Sequence, residues 1–238
     1  MNFYRGDTLT LLRTQIKDKS VNLLYINPPF GTTQNSWDEK QDWVSLFKEF
    51  FRVLTDDGML VIHCSIPFNY ELIRSAPKPP AYSWYWKKDG QTTPLLANQQ
   101  PLRIVEEILV WKKKKNTYYR QNIGTEIRVS KTMDATPYVY NVEKSKKTVM
   151  VGKTRTHLIE MQRNIRGFST RPDEMVQLFI DTYSKPGDTV LDCFCYNGLT
   201  SKFCTGRRWI GMDKHFYPNA WFKRDEEGAK KVDGPGRP

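Results

Sequence analysis

Two short clusters carry residue types that can do chemistry. The first is Asn27-Pro28-Pro29-Phe30. An amine attached to a nucleobase ring is a poor nucleophile, because its lone pair is delocalised into the ring. Two acceptors aimed at the amino hydrogens would pull the nitrogen toward a tetrahedral geometry and free that lone pair for attack. The Asn27 side-chain oxygen and the Pro28 carbonyl are two such acceptors. Pro28 and Pro29 fix the turn, and Phe30 offers a ring on which a base flipped out of a duplex would stack. The plainer alternative is an ordinary Asn-Pro turn.

The second cluster is Leu191-Asp192-Cys193-Phe194-Cys195-Tyr196-Asn197-Gly198-Leu199-Thr200, with Asp213 twenty-one residues after Asp192. A tight strand-to-helix turn with an acid about 20 residues further on, at the end of the next strand, suits a nucleoside whose ribose hydroxyls that acid takes. The loop holds a single glycine, so a plain βαβ turn is the alternative.

These clusters need elements to hold them. Val21-Asn22-Leu23-Leu24-Tyr25-Ile26 is an apolar run that stops where Pro28 and Pro29 can continue neither strand nor helix, so it reads as a buried strand. Trp43, Leu46, Phe47, Phe50, Phe51 and Leu54 recur at helical spacing. Asp56-Asp57-Gly58 breaks that pattern, and Met59-Leu60-Val61-Ile62 starts another strand, completing a βαβ unit. Further strands are expected at Tyr82 to Trp86, Ile108 to Trp111, Thr189 to Asp192 and Arg208 to Met212. A helix opens after Arg171-Pro172 with Met175, Leu178, Phe179 and Tyr183 on one face, and a short one follows from Leu199 to Cys204. In an open α/β sheet, ligands bind beyond the carboxyl ends of the strands. Asn27, Asp192 and Asp213 all fall there.

The 238 residues hold 37 Lys+Arg and 26 Asp+Glu, a net charge of +11, with 39% hydrophobic and 13% aromatic residues. A collagenous, coiled-coil or disordered chain is excluded by that composition. No apolar run is long enough to span a bilayer, and the N-terminus shows no secretory pattern, so the expectation is an intracellular protein without a membrane partner. The charge is not spread evenly. Between Lys112 and Arg171 lie 15 basic residues against four acids, Glu126, Asp134, Glu143 and Glu160, which leaves 22 against 22 elsewhere. This acid-poor stretch is interleaved with Tyr118, Tyr119, Tyr138, Tyr140 and Phe168. It is what a surface contacting a polyanion requires, with a solvated face as the alternative. The four cysteines, Cys64, Cys193, Cys195 and Cys204, form no C-x-x-C pair and read as reduced, half-buried thiols; no metal is expected.

Taken together, these motifs resemble the β-class amino-methyltransferases that act on DNA, a permuted group in which the catalytic motif precedes the recognition region and the cofactor motif follows it. The family's DPPY-type tetrapeptide is matched by Asn27 to Phe30. A phage-like subgroup continues as Gly31-Thr32-Thr33 and Trp37-Asp38 do, and has counterparts of Cys64-Ser65-Ile66-Pro67-Phe68, Gln100-Pro101-Leu102-Arg103 and Glu107 to Val110. The DPFxGxGT-type motif falls on Asp192 to Thr200, with Tyr196 and Asn197 departing from it, and the GRRxIGxE-type strand on Gly206 to Asp213. Gly6-Asp7 and Arg171-Pro172 are similar to the family's opening and to its KP-type helix start.

The resemblance implies a Rossmann-like α/β methyltransferase sheet that moves a methyl group from S-adenosylmethionine to adenine N6 in double-stranded DNA. It implies a catalytic half over residues 1–111, a basic target-recognition insertion over 112–166, a cofactor half over 167–222 and a disordered tail over 223–238, with a possible homodimer. Asn27, Pro28, Pro29 and Phe30 would be catalytic. Asp7, Asp192, Phe194, Gly198, Thr200 and Asp213 would serve the cofactor. Lys112, Lys113, Lys114, Lys115, Arg120, Arg128, Lys131, Arg155, Arg163 and Arg166 would hold nucleic acid. Methylation of cytosine N4 or of an RNA adenine uses the same two acceptors, and a non-catalytic nucleic-acid-binding remnant would explain Tyr196 and Asn197. A protein-amide methyltransferase shares the tetrapeptide but fits the basic stretch poorly.

Overall fold

The computed structural model describes residues 1–31, 33, 35–92, 94–130, 148–164 and 171–215. It separates into a large unit, 1–119 with the residues from 157 onward, and a small one, 120–156.

The large unit is built on an eight-stranded sheet. Its strands are β1 (Asn2–Arg5), β2 (Val21–Ile26), β3 (Leu54–Cys64), β4 (Tyr82–Lys87), β5 (Val105–Lys112), β8 (Leu158–Glu160), β9 (Thr189–Asp192) and β10 (Arg208–Asp213). The spatial order is β1-β10-β9-β2-β3-β5-β4-β8. The first five are mutually parallel, whereas β5 runs antiparallel to both neighbours. The chain crosses from one half of the sheet to the other between β9 and β2. At such a switch point the loops leaving the two strands diverge and open a crevice at their carboxyl ends.

Helices α1 (Thr8–Gln15), α2 (Trp43–Val53) and α3 (Phe68–Ser75) cover one face, and α4 (Asp173–Tyr183) covers the other. Alternation along β2 divides its side chains between the two cores. Leu24 and Ile26 pack with α1 to α3, while Leu23 and Tyr25 pack with α4. Trp43, Leu46, Phe47 and Phe50 are the buried stripe of α2, which Asp42 caps by accepting from the Ser45 N–H at 3.1 Å. Pro172 precedes α4, whose first turn carries Asp173 and Glu174 against the positive end of the helix.

Several elements differ from the sequence expectation. β3 begins at Leu54, earlier than expected, but its register with β2 shifts between Leu54 and Met59, so Asp56-Asp57-Gly58 still interrupts the ladder, while the Asp56 and Gly58 carbonyls accept from the Lys114 and Lys113 N–H groups. β1, α1 and α3 carry no strong periodicity in the sequence and emerge only in the structure. β8 lies in a stretch that reads as irregular, yet it pairs parallel to β4 from Tyr85↔Leu158 to Lys87↔Glu160. The small unit is an antiparallel pair, β6 (Asn122–Ser130) and β7 (Thr148–Thr154). It is narrower than the stretch that carries the charge: residues 112–119 and 157–164 belong to the large unit. Among the described residues no helix is long and apolar enough to cross a membrane. The tail at 223–238 lies outside the described residues.

Candidate active site

Sheet register brings the two chemical clusters together. Leu24 pairs with Leu191 and Asp192 pairs with Gly211, so Tyr25, Asp192 and Gly211 stand at one level on adjacent strands. Asn27 and Asp213 each lie two residues beyond that level, on either side of β9. Two strand spacings put their backbones roughly 10 Å apart, with the Cys193 to Gly198 turn between them.

Asn27, Pro29 and Phe30 are partly exposed and Pro28 is buried. The Phe30 ring stacks on Phe68 of α3, with centroids 4.9 Å apart and planes 20° from parallel. Trp43 meets Phe68 edge-on at 5.2 Å and reaches Phe194 at 6.2 Å, so one aromatic wall joins the tetrapeptide to the cofactor-side turn. After the tetrapeptide, Asp38 turns back on the chain. Its carboxylate, almost fully buried, accepts from the Gly31 N–H and the Thr33 N–H, both at 2.7 Å. Gly31 adopts φ +65°, where a side chain would be strained and would also press on Lys40. Glu39 then pairs with Lys214 at 2.6 Å, fastening this segment to the end of β10.

On the other side, Asp213 is half-buried. Its Oδ2 accepts from the Tyr196 N–H at 2.8 Å and its Oδ1 from the His215 N–H at 2.9 Å, and burial raises its carboxyl above the ordinary value. Its backbone carbonyl accepts from the Gly6 N–H at 3.0 Å, which brings the start of α1 alongside. There Asp7 is exposed and caps α1, accepting from the backbone N–H and hydroxyl of Thr10 at 2.8 Å each. Asp192 points the opposite way, into the core. Its Oδ2 accepts from the Thr200 hydroxyl at 2.8 Å, and that oxygen accepts in turn from the Trp209 indole at 2.9 Å. Burial pushes the Asp192 carboxyl up to about 6, with Arg171 and the Thr200 hydrogen bond opposing. Asp192 and Thr200 thus shape the turn from inside, and Asp213 is the acid that faces outward. Within the turn Tyr196 and Gly198 are both left-handed, at φ +51° and +73°.

Beneath the site runs a buried polar chain. Glu106 on β5 accepts from Lys88 at 2.8 Å and lies 2.7 Å from His63 Nδ1, while His63 Nε2 lies 2.9 Å from the Tyr25 hydroxyl. A carboxylate only accepts, so Nδ1 carries the hydrogen and the neutral ring accepts from Tyr25 at Nε2. Burial would raise the Glu106 carboxyl, but the hydrogen bonds and charges of His63 and Lys88 hold it down to about 2. Burial drives the His63 ring below its ordinary value against the pull of Glu106.

The expected nucleic-acid residues are scattered. Met59 pairs with Lys112 and Cys64 with Glu107, so Lys112 to Lys115 leave the sheet at the edge opposite Asn27, about 17 Å along the strands. Lys113 donates to the Leu54 carbonyl at 2.5 Å, and Lys114 pairs with Asp56 at 2.9 Å. Arg163 pairs with Asp89 at 2.9 Å. Arg120 and Arg155 belong to the small unit, as does Arg128 on β6. Lys131 and Arg166 lie outside the described residues, as do Thr32 and the aromatic residues Tyr138, Tyr140 and Phe168. All four cysteines are buried, and burial raises each thiol.

Sequence reasoning singled out Trp37-Asp38 and Ile66-Pro67-Phe68 only as likenesses. Asp38 as a clamp and Phe68 as the partner of Phe30 needed the loop path. Arg171, Tyr25, His63 and Glu106 left no signal beyond their presence in apolar strands or at a helix start.

A family model described as DNA methylase (N6_N4_Mtase) matches residues 21–217, spanning both clusters and everything between them. The chain belongs to this family. Among curated proteins it is similar to the type II methyltransferase M.SfiI of Streptomyces fimbriatus, at 27% identity over 125 residues. That match covers 46% of this chain and 30% of M.SfiI, so the chain aligns with under a third of that relative's length. Among solved structures it is similar to the cytosine-N4-specific PvuII DNA methyltransferase, with a TM-score of 0.62 at 16% identity, over 90% of this chain and 81% of that one. The M1.HpyAVI–SAM complex aligns with a TM-score of 0.55 at 16% identity, over 90% and 93%. TTHA0409 of Thermus thermophilus, complexed with S-adenosyl-L-methionine, gives 0.60 at 20% identity, over 92% and 89%. The chain therefore has the α/β fold of this group, a central sheet with helices on both faces.

Proposed function

We propose that this methylase transfers a methyl group from S-adenosylmethionine to adenine N6 of a base flipped out of double-stranded DNA. The observation that carries the reading is the register that sets Asn27 and Asp213 on either side of β9, at the carboxyl edge of the sheet, with the Cys193 to Gly198 turn between. The permuted order, tetrapeptide before cofactor turn, accords with the β-class resemblance.

The residues present fit the cofactor. The half-exposed Asp213 carboxylate, held by the Tyr196 and His215 N–H groups, is the outward-facing acceptor for a ribose hydroxyl, while Asp192, Thr200 and Gly198 hold the turn. Bound there, S-adenosylmethionine supplies an already activated sulfonium methyl. The chain's own task is then positioning and charge complementarity. Asn27 and the Pro28 carbonyl orient the amine, and Phe30, backed by Phe68, presents its other face to the base. Asp38 fixes the segment that leaves the tetrapeptide. Phosphate contacts are assigned to Arg120 and Arg155 of the small unit, as a target-recognition element.

Cytosine N4 is the second reading, favoured by the likeness to the PvuII enzyme. Asn27 in the tetrapeptide favours adenine. The experiment is transfer of labelled methyl to unmodified duplex DNA, with nuclease digestion and nucleoside identification. Label in N6-methyladenine that is lost in Asn27→Ala supports the first reading, label in N4-methylcytosine supports the second, and no transfer overturns both.

A further inference from the structure

The face of the sheet under α4 holds buried charges that the proposed chemistry does not use. From β10 to β4 they form two hydrogen-bonded stretches, Trp209, Thr200 and Asp192, then Tyr25, His63, Glu106 and Lys88. Arg171, two residues before the start of α4, is itself buried. Its guanidinium carbon lies 5.5 Å from the centre of the Tyr25 ring. Tyr25 stands level with Asp192 on the adjacent parallel strand, and side chains at one level of parallel strands point to one face. Leu24 and Leu191 one step earlier share the opposite core, as this requires. Arg171 therefore sits over β2 and β9 together, where the base-side strand and the cofactor-side strand meet. It is also the strongest charge opposing the effect of burial on Asp192. With His63 neutral, the chain of charges, Lys88, Glu106, Arg171 and Asp192, balances only when Asp192 is ionised.

We infer that Arg171 is a positioning residue for methyl transfer: it supplies the buried positive charge that lets the Asp192 carboxylate clamp Thr200 and hold the cofactor turn in register with Asn27. This rests on the proposed cofactor role of that turn. An arginine suits the place because its planar guanidinium can lie on a ring and face a carboxylate at once. The other titratable groups near Asp192 are Tyr25 on β2, Asp213 at the end of β10, Cys193 and Cys195 in its own turn, and Cys204. Burial raises the phenol and the thiols, so they stay neutral from pH 5 to 8. Asp213 acts on Asp192 less than burial, Arg171 and the Thr200 and Phe194 hydrogen bonds do.

The test compares unfolding stability against pH for the wild type, Arg171→Met, Arg171→Gln and Arg171→Lys, each with and without Asp192→Asn. The difference within each pair isolates the Asp192 titration. Its upper end should lie near pH 6 in the wild type and in Arg171→Lys. It should move up by about one pH unit or more in the two uncharged variants. Arg171→Gln carries the comparison where the apolar variant does not fold. Calorimetric binding of S-adenosylmethionine at pH 7 should weaken about twofold or more in the uncharged variants, as the ionised fraction of Asp192 falls from about nine-tenths to about half, and recover in Arg171→Lys. An unmoved titration overturns the role of Arg171, and so does an unchanged affinity in the uncharged variants. Failure of the wild type to bind S-adenosylmethionine overturns the cofactor reading instead, and the pH comparison then still decides whether Arg171 governs Asp192.

Discussion

The backbone N–H of Tyr196 donates to Asp213 Oδ2 at 2.8 Å while Tyr196 itself sits at φ +51°. The turn that family likeness gives to glycine is thus made here by a tyrosine held in the left-handed region, and the acid at the end of β10 is what holds it. Such a conformation costs an L-residue about 1–2 kcal/mol. Glycine would remove that cost and lose about 0.5–1 kcal/mol to chain entropy. Tyr196→Gly should therefore be more stable than Tyr196→Ala by about 1 kcal/mol in chemical denaturation, because alanine keeps the strain. Equal stabilities would mean that the left-handed conformation is not stored at this position.

Asp192 predicts a pH dependence. Its carboxyl ordinarily titrates near 3.8 and is pushed up to about 6 by burial. Below pH 3.8 both folded and unfolded forms are protonated and the group contributes nothing. As pH rises from 3.8 to 6 the unfolded form ionises first, so stability falls. Above 6 the cost is complete, at about 3 kcal/mol, since one unit is about 1.4 kcal/mol. Asp192→Asn should flatten this fall while keeping an acceptor for Thr200. A stability profile from pH 4 to 8 that is identical in the two proteins would contradict the burial argument. A steeper fall in the wild type means that it gives up stability for a charged clamp in its cofactor turn, which is a common exchange in functional sites.

Asp38 predicts a loss of rate without a loss of fold. Its two oxygens take the N–H groups of Gly31 and Thr33, the first steps after the tetrapeptide. Removing both acceptors in Asp38→Ala frees the segment next to Phe30, and misplacement of about 1 Å near a reacting centre costs up to about a hundredfold. Single-turnover methyl transfer should drop at least about tenfold, with Asp38→Asn intermediate and S-adenosylmethionine affinity unchanged. A matching loss of cofactor affinity would place the effect on the Glu39–Lys214 side instead.

How far the sequence reaches depends on the range of the interaction that fixes each feature. The apolar run before Asn27 and the helical stripe of α2 are decided by local pattern, and both are in place. Asp213 is legible because its distance along the chain from Asp192 is set by one helix-and-strand unit. The inward turn of Asp192 was not legible, because it depends on Thr200, Trp209 and Arg171 meeting on one face. Charge count likewise could not separate lysines that bind outward from lysines that close the sheet. Composition is additive along the chain, whereas the direction of a side chain is set by register, and β5 carries Lys112 to the edge away from Asn27.

That separation makes the last prediction. Lys113 donates to the Leu54 carbonyl and accepts at its own carbonyl from Lys78, both at 2.5 Å, so its ammonium serves the join between α2 and β3. Removing it leaves a backbone acceptor without a partner, at about 1–3 kcal/mol. Lys113→Met should therefore lower stability and leave the salt dependence of DNA binding unchanged. Arg120 and Arg155 in the small unit should behave in the opposite way. Their replacement by alanine should weaken duplex binding across sequences and reduce the slope of log affinity against log salt by about one for each phosphate no longer neutralised, with little change in the melting of the large unit. Titrations between about 50 and 200 mM salt measure that slope. A slope that falls in Lys113→Met and holds in Arg120→Ala would move the DNA-binding surface to the far edge of the sheet and away from β6 and β7.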